Sequence, residues 1–126
     1  MKIQILSIKA FKYYKKYNDK NIKVVASTST TDNLKEVKNK NKIILYYDDN
    51  LTDFNIKMAK QIKKFIKRTK DNQTIYCLCD GGMSRSAAIA AALQKYYNNN
   101  DNILNDQRYT PNKLVYTTLL QELKEG

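Results

Sequence analysis

The stretch Ile75-Tyr76-Cys77-Leu78-Cys79-Asp80-Gly81-Gly82-Met83-Ser84-Arg85-Ser86-Ala87 holds the residues whose types and spacing best suit chemistry. An apolar run ends at Cys79, a loop with two glycines leads to Arg85, and a small-residue segment follows. Such a loop is an anion trap. Glycines let successive N–H groups converge on one point, so the backbone of Asp80, Gly81, Gly82, Met83, Ser84 and Arg85 forms a phosphate-sized cradle. A helix beginning after the loop adds its free N–H groups and the positive end of its dipole. Arg85 offers a planar fork to two phosphoryl oxygens. The same field favours a thiolate at Cys79, because thiols at helix N-termini beside cations fall from about 8.5 to roughly 3.5–7.5. A thiolate under a bound phosphate is a nucleophile aligned for in-line attack. The Ser86 hydroxyl is placed to hydrogen-bond the sulfur and to ease its departure in a second step.

The rest of the composition removes competing chemistries. Among 126 residues there is no histidine, which excludes Ser-His-Asp and Cys-His catalysis and His-ligated metal sites. Two cysteines, Cys77 and Cys79, are too few and too close for a disulfide framework. Met1–Lys12 carries Lys2, Gln4 and Lys9 and no cleavage pattern, so no signal peptide is expected. The longest apolar run, Ala87–Leu93, is far short of a membrane span. A reducing cytoplasm is the expected compartment. The 23 basic and 12 acidic residues give 23 − 12 = +11, yet a 42% hydrophobic content argues against disorder. Of the basic residues only Arg68, Arg85 and Arg108 are arginine, a lysine bias that fits an A·T-rich coding sequence as well as a function.

These groups need a scaffold, and the pattern supplies strands alternating with helices. Strands are expected at Lys2–Ile8, Asn21–Ala26, Lys42–Tyr47 and Thr74–Leu78. One or two helical turns are expected over Thr31–Val37, with Asn33 and Glu36 at capping-box spacing. Asp53–Thr69 reads as an amphipathic helix with Ile56, Ala59, Ile62, Phe65 and Ile66 inward, and Lys57, Lys60, Lys63, Lys64, Lys67 and Arg68 outward. Ser84–Tyr97 is an Ala-rich helix. A last helix is expected to start at Thr110-Pro111, capped by Thr110, and to run to about Lys124 with Leu114, Val115, Leu119 and Leu123 inward. The fold class is therefore α/β: one compact domain over residues 1–126, with a central, mainly parallel sheet flanked by helices and the cysteine loop at the carboxyl end of a central strand.

The loop resembles the Cys-x5-Arg-Ser/Thr signature of the cysteine-dependent protein tyrosine phosphatases, and its Ser-Arg-Ser ending is closest to the small dual-specificity class. The likeness extends over about Lys42–Leu120. The stretch Ile43–Ile66 with Asp48-Asp49-Asn50 looks like the general-acid segment, and Thr110–Leu120 looks like the closing helix. In that family an aspartate about thirty residues before the cysteine protonates the leaving oxygen and then activates water. Asp49 lies thirty positions before Cys79 (79 − 49) and is followed by Asn. Asp48 is the runner-up and Asp53 a distant third. One departure stands out: the family usually places His immediately before the cysteine, and this chain has Leu78. That departure implies a looser loop, a less stabilised thiolate and slow turnover. Asp80, if its carboxylate turned inward, would raise the thiol further.

The resemblance implies phosphomonoester hydrolysis through a cysteinyl-phosphate, with a phosphorylated protein or peptide as substrate and no metal or organic cofactor. Three alternatives stay open. The first is the same loop chemistry on RNA 5′-phosphates, phosphoinositides or a small metabolite. The second is a phosphate-binding module without turnover. The third is a basic protein binding nucleic acid or anionic lipid through its lysine-rich helix, a face more simply read as solvated. Cys77 reads as a small core residue, and the tyrosines show no spacing that suggests a base-stacking platform.

Overall fold

The computed structural model describes residues 1–13, 20–30 and 41–125. The helical turns expected over Thr31–Val37, with Asn33 and Glu36, lie outside the described residues. The elements run β1 (Lys2–Ser7), α1 (Ile8–Tyr13), β2 (Ile22–Thr28), β3 (Lys42–Tyr46), α2 (Ile56–Ile66), β4 (Thr74–Cys79), α3 (Arg85–Asn98) and α4 (Lys113–Lys124). The four strands form one sheet in the order β1-β4-β2-β3, every pair parallel. All carboxyl ends therefore meet on one side. The register puts Ser7 and Ser27 on either flank of Cys79, the last residue of interior strand β4.

Strand alternation divides the core into two clusters. Val25, Ile75 and Cys77 point to one face, where they pack with Ile62 and Ile66 of α2, Ile89 and Leu93 of α3, and Leu119 of α4. Val24, Ala26, Tyr76 and Leu78 point to the other, where Ile8 and Phe11 of α1 join them. Both faces of the sheet are apolar, as a parallel sheet requires. Helix α3 is buried continuously from Arg85 to Leu93. Its alanines let it lie close against the strands, so the loop that precedes it leads into the most buried of the described helices.

Several boundaries differ from expectation for identifiable reasons. The chain leaves β1 at Ser7, whose Oγ accepts from the Ala10 N–H at 3.1 Å and starts α1, a helix the sequence pattern did not suggest. Helix α2 begins at Ile56 rather than Asp53, because Asn55 is the cap: its Oδ1 accepts from the Met58 N–H at 3.0 Å. Ile56 consequently sits in the first turn, 59% exposed and outside the apolar stripe. Helix α4 begins at Lys113, not at Thr110-Pro111. Its cap is Asn112, which accepts from the Val115 N–H at 3.1 Å, and Leu114 is only partly buried. No helix among the described residues is long and apolar enough to cross a membrane.

Candidate active site

Cys79 ends β4, and the loop to α3 turns back over its sulfur. The side chain is 2% exposed. Its Sγ accepts from the Gly82 N–H at 3.1 Å and lies 3.0 Å from Ser86 Oγ. Burial pushes the thiol up, but the Ser86 hydroxyl and the N–H groups of Ser86, Gly82 and Ser84 together outweigh it, so the thiol is held below its ordinary value. Cys77, two residues earlier, is fully buried in the core, and burial followed by the nearby Cys79 pushes its thiol far up. Both cysteines are free.

Gly82 is where the loop needs a glycine. Its φ is +70°, and a Cβ there would stand 2.7 Å from the Ser7 N and 3.1 Å from the Leu6 carbonyl carbon. Gly81 faces open space. The far side of the loop is tied to the segment before α4: the Thr110 N–H donates to the Met83 carbonyl at 2.9 Å, and the Asn112 N–H to the Ser84 carbonyl at 3.2 Å. The loop thus has anchorage of its own where the expectation from Leu78 was a looser one. Leu78 is fully buried in the apolar cluster over α1, and the loop takes its anchorage from β1 and the segment before α4 instead.

Arg85 is 6% exposed and already engaged. Its Nη1 donates to Ser29 Oγ at 2.9 Å and to the Tyr47 carbonyl at 2.8 Å, and its Nη2 pairs with Asp80 Oδ2 at 2.9 Å. Its Nε is buried with no hydrogen-bond partner among the described residues. The open fork expected for Arg85 is thus half occupied, because the residue bridges the ends of β2 and β3. What remains is a buried donor without an acceptor, which is costly unless a ligand supplies one. The Asp80 carboxylate turns away from the sulfur: its Oδ1 accepts from Thr28 Oγ1 at 2.8 Å and its Oδ2 from the Ser29 N–H at 3.3 Å.

The three candidate acids separate by position. Asp49 Oδ1 accepts from Ser84 Oγ at 2.9 Å and from Asn112 Nδ2 at 2.8 Å, which ties it to the rim of the cysteine loop. Ser84 caps α3 without a side-chain bond to that helix, its hydroxyl being spent on Asp49. Asp48 is exposed and its N–H donates to Asp53 Oδ2 at 3.1 Å; among the described residues no bond joins it to the loop. The bond from that N–H, with those from Asn50 and Thr52, holds Asp53 below the usual carboxylate range and makes it a poor proton donor. Met83 contributes its carbonyl to the loop's anchorage while its side chain is 54% exposed.

With this geometry in view, the comparison with solved structures is decisive for the fold. PTPMT1, in a crystal structure with PI(5)P, matches at a TM-score of 0.67 and 15% identity over 98% of this chain and 91% of that one. The Cydia pomonella PTP-2 phosphatase matches at 0.70 and 13% over 96% and 85%. The fold is that of the tyrosine and dual-specificity phosphatases. A third structure with this phosphatase fold is the human tyrosine phosphatase-like serine/threonine/tyrosine-interacting protein, at 0.54 and 14% over 90% and 80%. No family model matches the chain, and no curated protein does.

Four contributors to the phosphatase-fold site escaped the sequence reading: Asn112, Ser29, Thr28 and the Tyr47 carbonyl. Asn112 carried a legible signal, a capping residue just before an apolar-periodic run, which the adjacent Thr-Pro overshadowed. The others reach Arg85 or Asp80 from strands distant in sequence, so no local pattern marks them.

Proposed function

We propose that the protein is a phosphomonoesterase of the tyrosine/dual-specificity kind, acting through a cysteinyl-phosphate. The observation that carries this reading is the convergence of the Ser86 hydroxyl and three backbone N–H groups on a buried thiol. Fixed donors around a sulfur are suited to hold a thiolate and then the oxygens of a transferring phosphoryl group. The unpartnered Arg85 Nε completes the cradle.

In this mechanism the Cys79 thiolate attacks phosphorus while the ester oxygen leaves. Arg85 Nε and the Asp80–Arg85 backbone take the phosphoryl oxygens. Asp49 enters protonated and gives its proton to the leaving oxygen. Both of its hydrogen bonds fall on Oδ1, so Oδ2 is left to carry that proton. The carboxylate then takes a proton from water, which attacks phosphorus. The sulfur departs as thiolate with Ser86 donating to it, and inorganic phosphate is released. A positioned acid contributes about 10²–10⁴-fold.

The test is hydrolysis of an aryl phosphate, blocked by vanadate and lost in Cys79→Ser and Arg85→Lys. A phosphotyrosine peptide and PI(5)P, the latter bound by PTPMT1, are the substrates to compare. A second reading, phosphate binding without turnover, is favoured by the Asp80–Arg85 ion pair, which a phosphate has to share. Equal inertness of wild type and Cys79→Ser, with phosphate bound by both, would establish it.

A further inference from the structure

The amino ends of the parallel strands, opposite the cysteine loop, border an open cavity of about 800 Å3. Its walls come from the entries to β2, β3 and β4 and from the carboxyl end of α2. That volume is in the range of small-molecule clefts, about 300–1,000 Å3. Lys20, Lys23, Lys64, Arg68 and Lys70 line it, and among the described residues no carboxylate does. Five amide side chains, Asn21, Asn41, Gln61, Asn72 and Gln73, complete the polar lining over a floor of Ile43 and Phe65.

Lys23 shows that this charge is more than a wet surface. It is 4% exposed, its Nζ donates to the Phe65 carbonyl at 2.5 Å, and it lies 4.1 Å from the centre of the Phe65 ring. Among the described residues it has no carboxylate partner. Burial first, and the positive charge of Arg68 second, push its ammonium below the ordinary value. A buried cation facing other cations is stabilised when an anion enters between them.

We propose that this cavity is a second anion site, separate from the cysteine loop, that takes a small molecule carrying two or more phosphate groups on a hydroxylated frame. Five cations exceed what one phosphate uses, and the lining amides, although Asn72 is paired with Asn21 and Gln73 with the Lys70 N–H and the Lys20 carbonyl, have further lone pairs and N–H groups that suit hydroxyl groups between the phosphates. A free metabolite and a lipid headgroup share this chemistry.

The test is calorimetric titration with myo-inositol hexakisphosphate, on protein whose loop is blocked by vanadate. One equivalent should bind per chain, at least tenfold more weakly in the Lys64→Gln/Arg68→Gln double variant. Both residues are exposed, so the fold should persist, checked by an unchanged melting temperature without the probe. The control Lys57→Gln/Lys60→Gln removes two charges from the same helix outside the cavity and should bind as wild type, as should Arg85→Lys. Equal weakening by both double variants, binding of several equivalents, or loss confined to Arg85→Lys would overturn the proposal. Co-sedimentation with phosphoinositide-containing vesicles separates the sources: capture lost in the Lys64/Arg68 variant assigns a headgroup, and no capture assigns a free metabolite.

Discussion

Ser86→Ala tests how the thiolate is held. Ser86 is fully buried and its Oγ stands 3.0 Å from Cys79 Sγ, so the substitution removes one donor and leaves the backbone donors in place. A hydrogen bond to a charged group contributes about 1.5–3 kcal/mol. At 1.36 kcal/mol per pH unit, the Cys79 titration should move up by about one to two pH units. The assay is the pH dependence of iodoacetamide alkylation, which reports Cys79 because Cys77 is fully buried with its thiol pushed up. Stability should follow the same sign. A depressed thiol contributes stability that is complete above the ordinary thiol value of about 8.5 and is lost as pH falls through the folded value. The destabilisation by Ser86→Ala should therefore be larger at about pH 9 than at about pH 6. An alkylation profile coincident with wild type, in a variant of unchanged fold, would refute the role given to this hydroxyl.

Two further outcomes follow from the loop's anchorage. Gly82→Ala forces a side chain into positive φ and against the Ser7 backbone, so it should lose about 1–3 kcal/mol in strain alone and abolish aryl-phosphate turnover, whereas Gly81→Ala, facing open space, should stay within about 0.5 kcal/mol by urea denaturation. Asn112→Ala should remove a cap of about 0.5–2 kcal/mol and release Asp49, lowering kcat on alkyl phosphates more than on activated aryl esters while KM changes little.

Much of the fold is legible in the sequence. The β-branched runs that became the four strands are short and bounded by polar residues, and the glycine pair after Cys79 marks a turn with few alternatives. What was not legible is tertiary or too short to show a period. Helix α1 has six residues, under two turns, and hangs on one serine hydroxyl. The partners of Arg85 sit 56 and 38 positions away, at Ser29 and Tyr47, and nothing near them in sequence announces a guanidinium. Spacing to Cys79 points to Asp49 as the proposed acid with Asp48 beside it as the alternative, and the contacts that favour Asp49, from Ser84 and Asn112, are ones only the fold brings beside it.

The absent histidine can be understood as a redistribution of anchorage. Side chains alternate along β4, so the residue before Cys79 points to the face where Ile8 and Phe11 lie, and a leucine there adds to the apolar core at no cost in unpaired polar groups. The loop is fixed instead from three directions: Gly82 against Ser7, Met83 and Ser84 against Thr110 and Asn112, and the Asp80 carboxylate across Thr28, Ser29 and Arg85. The last of these cancels local charge. Because Asp80 pairs with Arg85, under the proposed function a phosphate would be drawn by backbone N–H dipoles and by an Arg85 Nε without a partner among the described residues, and the net charge of +11 lies mostly elsewhere. Dipoles fixed by short contacts resist salt screening, whereas exposed lysines do not. Phosphate held in the loop should therefore depend weakly on ionic strength, in contrast to a polyanion held at the lysine-lined cavity at the other end of the sheet.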